Sequence, residues 1–104
     1  MEIKLRAWDK INKRMIYIES FSQIPSNWKD VWILMLFTGL HDKHGEEIWE
    51  GDIVKWHDPE YGSIGDEIAP IEFKEASFCH GHITLRDIDM KFLEVIGNIY
   101  EGEK

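Results

Sequence analysis

The sequence predicts a mostly-β protein: a β-sandwich or small barrel, built as a single domain over residues 1–104, with at most one short helical turn. Three observations predict it. Seven short runs rich in apolar, β-branched and aromatic residues recur along the chain, turn-forming clusters of Gly, Pro, Asn and Asp separate them at close intervals, and no long helical periodicity intervenes. With 43% hydrophobic and 12% aromatic residues among 104, a core of a few large rings suffices to fold the chain without crosslinks.

Taken in order, Ile3, Leu5 and Ala7 alternate with Lys4, Arg6 and Trp8, the period-two pattern of a strand with one face inward. DKINK (9–13) then supplies a turn and MIYIE (15–19) the second arm of a hairpin. Pro25, Ser26 and Asn27 interrupt regular structure, with Trp28 placed to pin that loop. VWILMLF (31–37) fits either a buried strand or a piece of buried helix, because periodicity does not separate the two in so short a run. Its composition, with Thr38-Gly39 directly after, favours the strand.

Asp42-Lys43-His44-Gly45 is a turn signature: Asp bonds the backbone ahead of it and Gly takes the left-handed conformation that closes a hairpin. Gly51-Asp52 repeats that logic before IVKW (53–56), so that Trp49 and Trp56, with Ile48, Ile53 and Val54, fall in or near the core. Residues 57–67, with Pro59, Gly62, Gly65 and several acids, read as a long exposed loop and a possible working surface. IAPIEFK (68–74) and SFCHGHITL (77–85) read as two more strands, Pro70 marking an edge or bulge and Gly81 a bend. RDIDMKFL (86–93) has the spacing for one helical turn, after which EVIGNIY (94–100) is extended again. Gly39 and Gly97 lie inside apolar runs, where a missing side chain permits a bulge or a close backbone approach.

The formal charge of −8 is unevenly placed. Residues 1–37 hold six basic and four acidic groups, a net of +2, whereas residues 38–104 hold six basic and sixteen acidic, a net of −10. Broad binding to nucleic acid relies on Lys and Arg neutralising phosphates, so this balance disfavours it. The remaining case rests on the first part, where Lys4, Arg6, Lys13, Arg14 and Lys29 interleave with Trp8, Tyr17, Phe21 and Trp28 as a basic, stacking face for single strands. Cys79 is the lone cysteine and permits no internal disulfide. Charges at positions 2, 4, 6, 9 and 10 do not fit a secretory signal, and the longest apolar run, 31–37, is too short to span a bilayer. The expectation is a cytoplasmic protein with no membrane association and no cofactor.

Two clusters invite a metal. Asp42, Glu46, Glu50 and Asp52 are hard oxygen ligands, but they lack the fixed spacing of a calcium loop. His80 and His82, next to Cys79, are ligand types on one face of a supposed strand, without the paired spacing of a zinc site. The plainer reading is a buried cysteine flanked by two exposed histidines, and turn acids that tie the backbone. Neither a phosphate-binding Gly-rich loop, nor GxSxG, nor HExxH is present, which argues against an enzyme and leaves a metal-dependent hydrolase as a weaker alternative.

Three segments carry a resemblance: IKLRAWDK with MI (3–10, 15–16), FTGLHDKHGEEIWEGDIVKW (37–56) and EVIGNIYE (94–101). In this order the chain resembles the YopX family of small phage and prophage proteins. The resemblance implies a mostly-β protein acting in the cytoplasm of a bacterial host, and it brings no catalytic residues. The function it leaves open is an accessory role through a protein partner or a homo-oligomer, with nucleic-acid binding as the alternative. On this reading Gly39, Asp42, Gly45, Gly51, Asp52, Trp56 and Gly97 serve the scaffold.

Overall fold

A computed structural model describes residues 3–61 and 67–104. The protein is mostly β, as the sequence predicts, and divides into two compact units, residues 1–37 and 38–104. The boundary coincides with the change of charge from +2 to −10. Helical structure among the described residues is confined to single turns: α1 (Trp28–Val31) and 3-10 turns at Phe21–Gln23, Pro59–Tyr61, Leu85–Asp87 and Met90–Phe92. The single turn expected over 86–93 is thus two 3-10 turns.

In the first unit, β1 (Leu5–Asp9) and β2 (Arg14–Ile18) form the expected hairpin, and β3 (Trp32–His41) begins on the other side of β1. All pairing is antiparallel, with Ala7 between Ile16 and Leu34 and Trp8 between Met15 and Ile33. Asp9 organises the hairpin loop: its Oδ1 accepts the Ile11 and Asn12 amides, its Oδ2 the Asn12 side-chain amide. The Asn12 side-chain and backbone donors, helped by the Ile11 amide and by Arg14, hold the Asp9 carboxyl below its ordinary value despite burial. The sequence reading of β1 needs correction. Arg6 is 3% exposed and Trp8 9%, so both faces of this strand are covered and not one. Alternation reveals which residues share a face, but not whether that face meets solvent.

In the second unit the end of β3 runs into a hairpin with β4 (Glu47–Trp49), and the chain then enters a six-stranded sheet. Its members are β5 (Asp52–Trp56), β6 (Glu67–Lys74), β7 (Ser77–His80), β8 (Ile83–Thr84), β9 (Leu93–Asn98) and β10 (Gly102–Glu103). They lie in the order β10-β9-β5-β6-β7-β8. Ile48, Val54, Ile71, Leu85, Ile88 and Leu93 form the core, with Leu40, Trp56, Phe78 and Met90 packed on it.

Pro70 sits where β6 changes partner. Residues 67–70 pair with β5, whereas residues 71–74 pair with β7. A residue without an N–H is tolerated at such a switch. The β6–β7 turn is the two residues Glu75 and Ala76, with φ of +52° and +62° between the paired Lys74 and Ser77. This is the geometry of a type I′ turn, which Asn-Gly adopts with little strain and Glu-Ala does not. Replacing Glu75-Ala76 by Asn-Gly is therefore expected to stabilise the protein by about 1 kcal/mol, a rise of several degrees in melting temperature. A melt that stays put or falls would show that the native pair is not strained.

Candidate functional site

Within the segment 38–56 the residues singled out in the sequence stand mostly in turns or are held by backbone partners. Asp42 is 6% exposed. Its Oδ1 accepts the amides of His44 (2.8 Å) and Glu46 (2.9 Å), and its Oδ2 accepts the amide of Val95 (2.9 Å) at the start of β9. The Asp42 amide also donates to Glu46 O, its carbonyl accepts from the Gly45 amide, and the Lys43 amide reaches Leu93 O at 3.0 Å. The β3–β4 turn is thereby tied to β9. Burial raises the Asp42 carboxyl, but the amides of Val95, Glu46 and His44 and the nearby His44 charge outweigh it and hold the group below its ordinary value. Gly45, with φ of +81°, closes the turn.

The Gly51-Asp52 turn differs from its sequence reading. It does not close a hairpin, because β4 lies beside β3 while β5 lies between β9 and β6. Instead it delivers the chain from one strand pair into the six-stranded sheet. Gly51 has φ of +88°, its amide donates to Ile71 O (2.8 Å), and its carbonyl accepts from the Ile99 amide (2.9 Å). Asp52 Oδ2 accepts the Trp49 amide at 2.7 Å across the turn. Thr38 adds a lock, donating from its hydroxyl to Ile48 O at 2.6 Å. Gly39, exposed with φ of +85°, lies within β3, so the strand continues past the Thr-Gly pair that had marked its end.

The metal candidates are not gathered. Among the described residues no three His, Cys, Asp or Glu side chains form a group that could hold a metal ion. Glu46 faces Lys104 Nζ at 3.2 Å, and Glu50 stands in the turn before Gly51. His80 and His82 do not share a strand face. The chain reverses at Gly81 and His82, so that His80 ends β7 opposite Ile83 in β8. His80 is 2% exposed, which corrects the expectation of two exposed histidines, while His82 is exposed and Cys79 buried. His80 Nε2 lies 2.7 Å from Val54 O. A carbonyl only accepts, so this nitrogen carries the proton. The Trp56 ring meets the imidazole edge-on at 6.5 Å between centroids.

The basic, stacking face proposed for single strands is likewise thinned. Arg6 and Trp8 are buried, and β1 is the middle strand of its unit. Lys4 lies over Phe37 at 4.9 Å and Lys29 over Trp28 at 5.8 Å. Arg14 faces Asp9 at 3.6 Å, while Lys13, with φ of +55°, stands exposed in the hairpin loop. Tyr17 and Phe21 remain at the surface. Of the loop 57–67 considered as a working surface, residues 62–66 lie outside the described residues. In the described part, Asp58 Oδ1 accepts the Glu60 amide.

Two concave surfaces had no sequence signal. One, of about 370 Å³, is in the first unit and lined by Ile3, Leu5, Ile18 and Phe21 with Glu19 and Ser20. The other, of about 340 Å³, is in the second unit beside β7 and β8. Neither is foreshadowed by a motif, since exposure of an apolar residue depends on what the rest of the fold leaves uncovered.

Fold and site define a small, mostly-β protein organised around a hydrogen-bonded corner, with no assembled metal group among the described residues. The chain belongs to the YopX family: the model of that family, described as YopX protein, matches residues 21–104. The middle and closing segments of the resemblance fall inside that match, and the opening one lies before it. Among solved structures the chain is similar to the crystal structure of protein EF1440 from Enterococcus faecalis. The two share 25% identity with a TM-score of 0.70, over 97% of this chain and 95% of that one. A comparison with curated proteins finds no match. No helix among the described residues is long and apolar enough to cross a membrane.

Proposed function

We propose that this protein is a phage- or prophage-encoded accessory factor of the bacterial cytoplasm that works by binding a protein partner or copies of itself. The observation that supports this reading most is the apolar groove of the first unit, where Ile3 is 66% exposed and Phe21 69% beside Leu5 and Ile18. Large apolar side chains grouped at a surface cost free energy in water, and a partner that covers them removes that cost. Family membership supports the phage origin, and the net charge disfavours nucleic acid as the general partner.

The test joins light scattering of the purified protein with a pull-down from prophage-bearing cells, each repeated with Phe21→Asp. The expected result is an oligomer or a recovered partner that the substitution abolishes. Since Phe21 stands on the surface, the variant should fold with an unchanged melt. A monomer that recovers no partner would overturn the reading.

A further inference from the structure

We propose that β2 is a dimerisation edge, on which a second copy of this chain adds its own β2, antiparallel, about a two-fold axis at Ile16. The inference rests on the binding reading above and names the partner at that same surface as an identical chain.

The sheet that holds β2 runs in the order β2-β1-β3-β4, so no strand lies beyond β2 among the described residues. An open strand edge recruits another strand unless shortness, proline, a bulge or charge blocks it. The other terminal strands are short, with three residues in β4 and two each in β8 and β10. β2 is different. It has five residues, RMIYI, in unbroken register with β1, without proline and with its one charge, Arg14, at the first position. At the far end of this edge lies the apolar groove of Ile3, Leu5, Ile18 and Phe21.

The residues around β2 select the strand that fits. Side chains opposite one another in an antiparallel pair share a face, so a two-fold axis between identical strands must fall on a residue and not between two. With the axis on Ile16, the segment 13–19 (KRMIYIE) sets Met15 opposite Tyr17, Arg14 opposite Ile18 and Lys13 opposite Glu19, each twice. Lys13 and Glu19 flank the strand and are exposed, and neither side chain makes an ion pair or hydrogen bond with a described residue. The second copy gives each an opposite charge. Moving the axis to Met15 or Tyr17 would set Glu19 against Ile11 or Met15 and dissolve both pairs. Beyond Lys13 the hairpin loop carries Ile11, 67% exposed, and the antiparallel arrangement brings the second copy's loop alongside Glu19 and Ser20, which line the groove. An exposed apolar side chain thus comes to an exposed apolar hollow, and both leave water.

The test first weighs the full chain by light scattering, where a dimer is expected. With the native Cys79 buried, Ile16→Cys should give a disulfide-linked dimer on mild oxidation, since opposed Cα atoms stand about 4.5–5.5 Å apart, within disulfide reach. Tyr17→Cys should not, because its counterpart lies on the diagonal, about 7–8 Å away. Random collision would give the reverse order, Tyr17 being 57% exposed and Ile16 half-buried. Lys13→Glu should weaken the dimer at least tenfold, and adding Glu19→Lys to it should restore the parent affinity. A monomer at millimolar protein, crosslinking at Tyr17 in preference to Ile16, or a double variant no tighter than Lys13→Glu alone would overturn the proposal. A cellular partner recovered by a monomer, or an oligomer that persists undiminished in Lys13→Glu, would end this inference and leave the proposed function standing.

Discussion

Asp42→Ala is expected to lower the melting temperature by roughly 10–20 °C, the result of losing about 3 kcal/mol. The carboxylate accepts three backbone amides, those of His44 and Glu46 in its own turn and that of Val95, 53 residues on. Truncation leaves all three donors without their acceptor in a place where Asp42 itself is buried, and each orphaned donor costs about 1–3 kcal/mol unless water reaches it. Asp42→Asn separates shape from charge. One amide oxygen still serves His44 and Glu46, but the side-chain NH₂ then meets the Val95 N–H, donor against donor. An intermediate loss is expected. Acid should act in the same direction on the parent protein: the folded state holds this carboxyl, and that of Asp9, below the ordinary 3.8. A depressed folded value means that the stabilisation is complete above 3.8 and drains away as pH falls through that value towards the folded one. Melting temperature should therefore drop steeply below about pH 4. The slope should be shallower in Asp42→Asn, with the Asp9 share remaining. A flat acid profile in the parent would remove the carboxylates from this account.

The same residue marks where the sequence stops being readable. That Asp42 and Gly45 make a turn is local chemistry, visible in four letters. That Asp42 also grips Val95 is not, because nothing in either segment announces the other. Gly51 shows the same limit from the other side: its turn was legible, but its hydrogen bonds go to Ile71 and Ile99, so a turn read as closing a hairpin instead changes strand partners. The alternation in 3–8 groups Leu5 with Ala7 and Arg6 with Trp8, yet Ala7, Arg6 and Trp8 are all buried, because burial is set by what the rest of the fold lays over each face and not by the alternation. His80 and His82 illustrate a smaller failure, since Gly81 was read as a bend within a strand and is a full reversal between two. The Glu75-Ala76 turn had no Gly, Asn or Asp to betray it. The two concave surfaces were beyond sequence reasoning altogether, for they are defined by side chains from segments far apart, such as Leu40, Phe78 and Met90.

Gly97→Ala should be the more damaging of two glycine substitutions that look alike on paper. Gly97 follows a bulge: Ile53 pairs with Gly97 and Val54 with Val95, which leaves Ile96 as the extra residue on β9. Beside it β10 returns, with Glu103 opposite Gly97 and the Lys104 amide bonded to Ile96 O at 2.7 Å. A Cβ on residue 97 would overlap Gly102 O and stand 2.7 Å from Glu103 Cα and 2.8 Å from the Gly102 carbonyl carbon. These are backbone atoms, which do not rotate away. Gly39→Ala is the control. It too has positive φ, +85°, but its Cβ would meet nothing within 4 Å. Only conformational strain remains there, about 1 kcal/mol, or some 4–8 °C of melting temperature. Gly97→Ala adds the displacement of β10 and should cost at least about 3 kcal/mol, in the range of severe core defects. Removing residues 102–104 distinguishes clash from strain. In that shortened background Gly97→Ala should fall to the cost of Gly39→Ala, because the atoms it strikes are gone, and the difference between the two backgrounds measures the close approach itself. An equal cost in both would place the requirement for glycine in the backbone angle and not in the packing of β10 against the bulge.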